Sequence, residues 1–454
     1  MRTALCLTLL GALSLGCSWS RYDDVTENAP IVLLNRPKQL NDGFGSSLAT
    51  ATPPDGPMLL VGGAPLSSGG AVFSLGSGDS PSTEARDTGH CLDSPDACYF
   101  SSSPVALQGA KGPQETRNLC FVDGAGIASK GKGVVVRCED DNVEYALPLP
   151  EAAASLLDFS IDNAQPTLFQ FGADHGKNPL LLATAEEEKG VWFYPSLSQK
   201  FVEIPHPSNN KGLWTPGKRV LAVARVGDEG RLLAVGEPTA GSVRLFYAAD
   251  GLTPSYVGCL GGTSGFGRSL ATGPVVRGDD DDELVIADDH LVYVFDGARL
   301  ASLPPATDSA CSLGGLPEAT LVTSFGCGST KNISGCDGSD FGAALAVGDL
   351  DGDGDGEVVV GAPLMTVRHT ERAGALIIYD VEPPATGSKR QIYDFLDIAF
   401  LSSADQDDQL GRSIALPNLG DRQLLVAGAP GGGKAALFYC PSFLPAELAG
   451  GRCK

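Results

Sequence analysis

The residues most able to do chemistry are five carboxylates within nine consecutive positions. Asp349, Asp351, Asp353, Asp355 and Glu357 alternate with one leucine and three glycines. Ca²⁺ takes about six to eight oxygen ligands, and a tight loop of alternating Asp and Gly can turn several carboxylates towards one ion. No helical pattern follows, which disfavours an EF-hand. The stretch predicts a Ca²⁺ site, and the alternative is an acidic turn that is only exposed to solvent.

A second acidic run lies earlier in the chain, at residues 277–283, and ends in Glu283. Pro274 and Val276 stand where the first ligands of such a loop should be. Because these side chains offer no oxygen, the run indicates a degraded or shifted Ca²⁺ site. A solvated turn is the simpler interpretation.

Motifs for catalysis are scarce. Residues 428–435 imitate a phosphate-binding P-loop, but Ala435 replaces the Ser or Thr that would hold Mg²⁺. Residues 436–439 have the pattern of a strand, where the motif needs a helix N-terminus. No GxSxG or HExxH sequence occurs, and the five histidines lie on predicted loops. We therefore expect no catalytic residue.

The elements that must position the acidic loop are short repeated strands. An apolar strand that ends with Gly and Pro recurs at residues 59–65, 232–238, 358–363 and 424–430. A second strand that ends in an aromatic residue follows each copy, at residues 70–73, 241–247, 374–379 and 435–439. Each pair of strands predicts a β-hairpin.

A third repeated element lies upstream of an apolar strand in four units. It carries Phe-Gly around Phe44, Phe266 and Phe341, and Leu-Gly at Leu410. The large side chain is expected to fill space between packed sheets. The Gly lets two backbones approach closely or adopts a positive φ.

These units resemble the FG-GAP repeats of the integrin α-subunit β-propeller, over nearly the whole chain after its first residues. Three weaker units, at residues 134–147, 180–194 and 220–247, bring the count to seven. The resemblance implies an all-β fold, a seven-bladed β-propeller of four-stranded antiparallel blades. Residues 30–35 would close the ring against the last blade. Residues 76–100 and 303–336 are expected to be loops of the blades.

The resemblance also implies roles in the acidic loop, which matches the integrin pattern DxDxDGxxD. Asp349, Asp351 and Asp353 would each bind Ca²⁺ through one carboxylate oxygen. Asp355 would offer its backbone carbonyl, and Glu357 would take the last position. Since the family prefers Asp there, the longer Glu leaves open whether it contacts the ion directly or through water.

The implied function is a non-enzymatic binding or adhesion module for a protein or a glycan. Two alternatives stay open. One is a propeller hydrolase or lyase that acts on an extracellular polymer, because acids on blade loops could form such a site. The other is a structural subunit of an envelope complex.

The first residues predict export. Residues 4–15 are apolar but too few to span a bilayer of about 30 Å, which is typical of a signal peptide. The residues before Cys17 resemble the lipobox of bacterial lipoproteins, with Gly16 at position −1, although Ser14 replaces the usual Leu at −3. This implies a lipid anchor at the bacterial outer membrane or cell surface; the alternative is a secreted protein with an incidental cysteine.

The predicted parts are residues 1–16 (signal peptide), 17–29 (lipidated Cys17 and a short tether), 30–440 (propeller) and 441–454 (C-terminal tail tied by a cysteine).

The cysteine count agrees with export. Of twelve cysteines, Cys6 and Cys17 belong to the leader and the lipid site, which leaves ten, an even number as a disulfide framework requires. Zinc is disfavoured because no CxxC occurs and the histidines are scattered. Many connectivities are possible, and pairing between neighbours in sequence is our hypothesis. The predicted pairs are Cys91–Cys98, Cys120–Cys138, Cys259–Cys311, Cys327–Cys336 and Cys440–Cys453.

The net charge limits the partners. The chain has 32 basic and 55 acidic residues, a net charge of −23, which repels phosphate backbones and anionic lipid headgroups. We therefore expect no nucleic-acid partner and membrane contact only through the lipid anchor. A basic or Ca²⁺-bridged partner is favoured.

Overall fold

A computed structural model describes a set of separate segments of the chain. They are residues 31–35, 43–51, 58–62, 71–75, 85–86, 120–123, 133–138, 143–148, 167–171, 180–184, 191–194, 202–204, 219–228, 230–249, 254–276, 281–303, 311, 320–327, 336–382, 394–403, 405–418 and 423–438. Within these segments the fold is all-β, with almost no helix.

The described strands form seven antiparallel sheets of three or four strands. Sheet 1 contains β2 (Ser47–Ala51), β3 (Met58–Gly62), β4 (Ala71–Ser74) and β5 (Ala85–Arg86). Sheet 2 contains β6 (Cys120–Asp123), β7 (Gly133–Cys138) and β8 (Val143–Pro148). Sheet 3 contains β9 (Thr167–Phe171), β10 (Leu180–Thr184), β11 (Val191–Tyr194) and β12 (Val202–Ile204).

The other four sheets continue in chain order. Sheet 4 contains β13 (Val220–Val226), β14 (Gly230–Glu237), β15 (Ser242–Ala248) and β16 (Ser255–Gly261). Sheet 5 contains β17 (Ser269–Gly273), β18 (Glu283–Ala287), β19 (Leu291–Phe295) and β20 (Leu321–Gly326). Sheet 6 contains β21 (Ala344–Gly348), β22 (Glu357–Ala362), β23 (Ala375–Glu382) and β24 (Asp394–Ser402). Sheet 7 contains β25 (Ser413–Ala415), β26 (Leu425–Ala429), β27 (Lys434–Phe438) and, from the start of the chain, β1 (Ile31–Asn35).

The four predicted hairpins are confirmed, because in each of them the apolar strand pairs antiparallel with the strand that follows it. The weaker units at residues 134–147 and 180–194 also form hairpins. The prediction that residues 303–336 are a loop is wrong, because β20 lies inside it and pairs with β19 as the fourth strand of sheet 5. Residues 76–100 likewise contain β5, which pairs with β4. A fourth strand satisfies the backbone groups that the third strand would otherwise leave open.

The sheets follow one another through their first strands. β9, β13, β17, β21, β25 and β2 contact each other in that order, so that the last sheet of the chain lies beside the first. β1 pairs with β27 along its whole length, from Ile31 opposite Phe438 to Asn35 opposite Lys434. The predicted pairing of residues 30–35 with the last unit is therefore confirmed for Ile31–Asn35.

Apolar clusters fill the spaces between neighbouring sheets, and the large side chain of the Phe-Gly element lies in each of four of them. Phe44, Phe266, Phe341 and Leu410 are at most 3% exposed. Phe341, for example, packs among residues of sheets 5 and 6 and meets Tyr379 edge to face, with ring centroids 6.5 Å apart. The prediction that this side chain fills the space between sheets is confirmed.

The glycines allow adjacent sheets to touch through their backbones. Gly411, which follows Leu410, has a φ of 90° and donates its N–H to Gly428 within sheet 7. Its carbonyl oxygen lies against Gly361 of sheet 6, where a Cβ atom would overlap it. The same contact recurs between Gly236 and Gly267 and between Gly428 and Gly45. The repeated glycines therefore set the spacing of the sheets.

In the described segments helix is confined to short stretches. α1 (Gly297–Ala301) begins after Asp296, whose side chain accepts the N–H of Arg299; the sequence analysis did not predict it. Residues 150–157, whose sequence has a weak helical pattern, lie outside the described residues. In the part of the chain that the structure describes, no helix has the length and apolar character needed to cross a membrane.

Two of the five predicted disulfides have bonding geometry. Cys259 of sheet 4 bonds to Cys311, which lies between β19 and β20 of sheet 5, and Cys327 bonds to Cys336 ahead of β21. Both bonds tie one sheet to the next. The backbone register places Cys120 opposite Cys138. Four predicted cysteines, Cys91, Cys98, Cys440 and Cys453, lie outside the described residues, as does Cys17.

Candidate metal centre

The acidic loop joins β21 to β22, and its aspartate side chains accept hydrogen bonds from backbone N–H groups of the same loop. Asp349 accepts the N–H groups of Gly352 and Gly354 with its two oxygens, the latter at 3.2 Å. Asp351 accepts the N–H of Asp353 at 3.0 Å. Gly352 and Gly354 have φ of 80° and 100°, which favours glycine at both positions. The alternation of Asp and Gly in the sequence therefore builds the turn itself.

Three of the predicted ligands converge. Asp349, Asp351 and Asp353 each offer one carboxylate oxygen, and the three oxygens lie within 4.8 Å of one another. Asp351 is buried, Asp349 is half-buried and Asp353 is exposed. Burial, with the nearby charges of Asp353 and Asp349 adding to it, raises the pKa of Asp351 to about 6. A set of close hard oxygens that repel one another fits Ca²⁺, because a bound cation offsets that repulsion.

The other two predicted residues are placed differently. Asp355 is half-buried in the same loop and donates its N–H to Asp353 at 3.0 Å. Glu357 is the first residue of β22, is 1% exposed, and accepts the N–H of Leu350 at 2.7 Å. Burial raises the pKa of Glu357 to about 9, against the hydrogen bond from Leu350, and the charges of neighbouring Asp residues add to the rise. Glu357 is not part of the convergent set of three.

The corresponding loop of sheet 5 has the glutamate, but Pro274 and Val276 stand at the positions of Asp349 and Asp351. Glu283 begins β18, is 1% exposed, and accepts the N–H groups of Val275 and Val276 at 2.7 and 3.1 Å. Asp282 accepts the backbone N–H of Arg225 in β13, and Asp281 accepts that of Gly227, which follows β13 in sheet 4. Residues 277–280 lie outside the described residues, so the expectation of a weaker site there stays a prediction.

Each acidic loop also donates a backbone hydrogen bond to the sheet before it. Gly356 donates its N–H to the carbonyl of Pro274, and Asp282 donates its N–H to the carbonyl of Arg225 at 2.8 Å. The two hydrogen bonds are equivalent, since both donors directly precede the second strand of their sheet. The conformation of the acidic loop is therefore coupled to the packing of sheet 6 on sheet 5.

The unit that carries the convergent carboxylates also carries a recognisable family signature. Residues 341–379 match the family model of the FG-GAP repeat. This segment is an FG-GAP repeat. It runs from Phe341 through β21, the acidic loop and β22 to Tyr379 in β23. The predicted resemblance is thus confirmed for this unit, and the all-β architecture of three- and four-stranded antiparallel sheets is consistent with an FG-GAP β-propeller. No curated protein matches the chain.

Directly before its first residue, the FG-GAP repeat adjoins a network of ion pairs that the sequence analysis did not predict. Asp340, directly before Phe341, forms ion pairs with Arg268 of sheet 5 and with Arg412 of sheet 7, the latter at 3.3 Å. Three consecutive sheets are thereby linked. The signal was present in the sequence, because Arg268 and Arg412 both follow the Gly of their Phe-Gly or Leu-Gly pair.

The motif that imitates a P-loop is a hairpin turn between β26 and β27. Pro430–Gly432 form one turn of 3₁₀ helix, Gly433 has a φ of 61°, and Lys434 begins β27. The Lys434 ammonium lies 2.8 Å from Asp405 and 2.6 Å from Asp408. The predicted strand is confirmed, and the lysine is engaged by carboxylates. His290 and His369, the two histidines in described segments, lie in exposed turns as predicted.

Proposed function

We propose that the chain is a seven-bladed FG-GAP β-propeller that binds Ca²⁺ in the acidic loop of the repeat at residues 341–379. The observation that carries the proposal is the convergence of three carboxylates in the strand-connecting loop of an FG-GAP repeat. Support for a ring comes from the contacts that lead from β9 round to β2 and from the pairing of β1 with β27.

Asp349, Asp351 and Asp353 are the residues proposed to hold the ion through their side chains, with the backbone carbonyl of Asp355 as a further ligand. Bound Ca²⁺ would supply positive charge where three carboxylates crowd together. In its absence the crowding is unfavourable, because like charges held close together repel one another. Removing the ion should therefore loosen the loop and, through Gly356, its contact with Pro274.

Ca²⁺ should raise the melting temperature of the wild-type protein, and excess EGTA should lower it again. A free Ca²⁺ concentration one hundred times the Kd corresponds to about 2.7 kcal/mol of added stability. Asp351→Asn should abolish the difference between Ca²⁺ and EGTA, and in EGTA it should be at least as stable as the wild type, because one of the repelling charges is gone.

Asp228→Asn is the matched control. Asp228 is an exposed residue in the β13–β14 turn, the equivalent connection of sheet 4, so the variant loses one charge without changing the acidic loop. It should keep the full Ca²⁺ response. An identical melting temperature of the wild type in Ca²⁺ and in EGTA would argue against the metal.

We further propose a non-enzymatic role, the capture of a protein or glycan partner through loops at one end of the ring. The support is that the seven units repeat their strands and differ in the loops between them, where binding residues are usually carried. The net charge of −23 favours a basic or Ca²⁺-bridged partner. Pulldown from intact cells in Ca²⁺ and in EGTA tests this role. Turnover of a polysaccharide by the purified protein, lost on changing one carboxylate without unfolding, would instead support a hydrolase or lyase.

Anchoring through Cys17 at the outer membrane or cell surface completes the proposal and rests on the lipobox resemblance. Cys17→Ala should leave the protein unprocessed or release it in soluble form. Fractionation of cells after high-salt and carbonate washing measures this. A variant that still pellets with the membranes would contradict anchoring by this cysteine.

A further inference from the structure

Glu357 and Glu283 occupy the same place in two neighbouring sheets. Each is the first residue of the second strand, each is 1% exposed, and each accepts backbone N–H groups from the loop that precedes it. For Glu357 the donor is Leu350, and for Glu283 the donors are Val275 and Val276. The two carboxylates thus make the same kind of hydrogen bond to the backbone of two loops that differ in sequence.

Among the described residues, convergent carboxylates are found in the loop of sheet 6 and not in the loop of sheet 5. In the loop of sheet 5, Pro274 and Val276 stand at the positions that Asp349 and Asp351 occupy in sheet 6. Neither side chain offers an oxygen to a cation. Glu283 therefore holds its place by hydrogen bonds to the loop without the first two ligands of a metal site, and Glu357 makes the same kind of hydrogen bond.

Leu350 connects this hydrogen bond to the metal centre, because it lies between two of the proposed ligands. Its side chain is 5% exposed and packs among residues of sheets 6 and 7. Its N–H is held by Glu357 at 2.7 Å. Two contacts therefore fix the backbone from which Asp349 and Asp351 project.

We propose that Glu357 is a positioning residue, which closes the loop on the Leu350 amide, and that it is not a ligand of the ion. The inference rests on the proposed Ca²⁺ site and departs from the expectation that the last position of the loop pattern binds the ion. The ligands contributed by side chains are then Asp349, Asp351 and Asp353. Glu357 orients the first two of them through the backbone.

Calorimetric titration of the full chain with Ca²⁺ separates the two roles. Glu357→Gln keeps an oxygen that can accept the Leu350 N–H but removes the charge, so its Kd should stay close to that of the wild type. Glu357→Ala removes the acceptor, and its affinity should fall about tenfold, as for other residues that orient a metal ligand. Asp351→Asn should lose binding. If Glu357→Gln loses binding as Asp351→Asn does while the wild type binds, Glu357 is a ligand and the inference is wrong.

Glu283 provides a control in a loop that lacks the first two ligands. In EGTA, Glu283→Ala and Glu357→Ala should both unfold at lower denaturant concentration than the wild type, and each Gln variant should recover most of the loss. Equal loss in the Gln and Ala variants would overturn the role of the backbone hydrogen bond. Absence of Ca²⁺ binding by the wild type would overturn the proposed function, and with it the positioning role, whereas loss confined to Glu357→Gln overturns only the positioning role.

Discussion

Phe341→Ala should lower the free energy of unfolding by about 3–5 kcal/mol, as for other large side chains removed from a packed core. Phe341 is 2% exposed and lies between sheets 5 and 6, against residues of both. Tyr379, which meets Phe341 edge to face, is also stacked on Phe325, with ring centroids 4.1 Å apart. The measurement is the midpoint of chemical denaturation, with the slope compared between variants.

Phe341→Leu is the matched control, because the chain itself uses leucine at this position in another unit. Leu410 occupies the equivalent place between sheets 6 and 7 and is 3% exposed. The Leu variant should therefore cost much less than the Ala variant, of the order of 1.5 kcal/mol. A loss for Phe341→Ala of under about 1 kcal/mol would mean that the side chain is not part of a close-packed interface between the sheets.

Gly361→Ala should destabilise the protein by at least about 3 kcal/mol, at the upper end of the cost of overpacking. The added Cβ would overlap the carbonyl oxygen of Gly411, a backbone atom of the adjacent sheet that has no freedom to rotate away. Relief requires sheets 6 and 7 to separate, which opens the apolar cluster between them. The denaturation midpoint again measures the effect, and the Ca²⁺ response of the remaining folded protein shows whether the loss reaches the acidic loop.

Gly258→Ala separates this contact from the general effect of replacing a strand glycine. Gly258 lies in β16, and among the described residues a Cβ there would meet only the Leu303 Cδ1 atom, at 3.9 Å, an ordinary van der Waals distance. Gly258→Ala should therefore change the free energy of unfolding very little. Similar midpoints for the two variants would contradict direct backbone contact between sheets 6 and 7.

The hairpins and the packing role of Phe-Gly could be predicted from sequence because they depend on local pattern. A buried apolar run bounded by Gly and Pro, as at Val358–Gly361, has few options other than a central strand. Repetition then made each prediction support the others, so even the weak unit around Leu180 was found. The two described disulfides were found for a similar reason, since the partners are neighbours among the cysteines of the chain.

The parts that could not be predicted depend on contacts between distant residues. The sequence predicts a loop where β20 lies, because the residues of β20, beginning at Leu321, lack the Gly and Pro that end the repeated strands. The Asp340 network joins residues 72 positions apart on either side, and although Arg268 and Arg412 share a position in their units, that pattern does not show which residue they pair with. The role of Glu357 could not be decided from the sequence, because a carboxylate at this position could either bind the ion or accept a backbone N–H.

The proposed function requires the FG-GAP repeat at residues 341–379 to hold Ca²⁺ through the side chains of Asp349, Asp351 and Asp353. Equilibrium dialysis with radioactive Ca²⁺ on the full chain tests it most directly, with Asp351→Asn and the control Asp228→Asn measured beside the wild type. We expect the wild type and Asp228→Asn to bind the same number of ions, and Asp351→Asn to bind one fewer. Equal binding by Asp351→Asn and the wild type would contradict the claim.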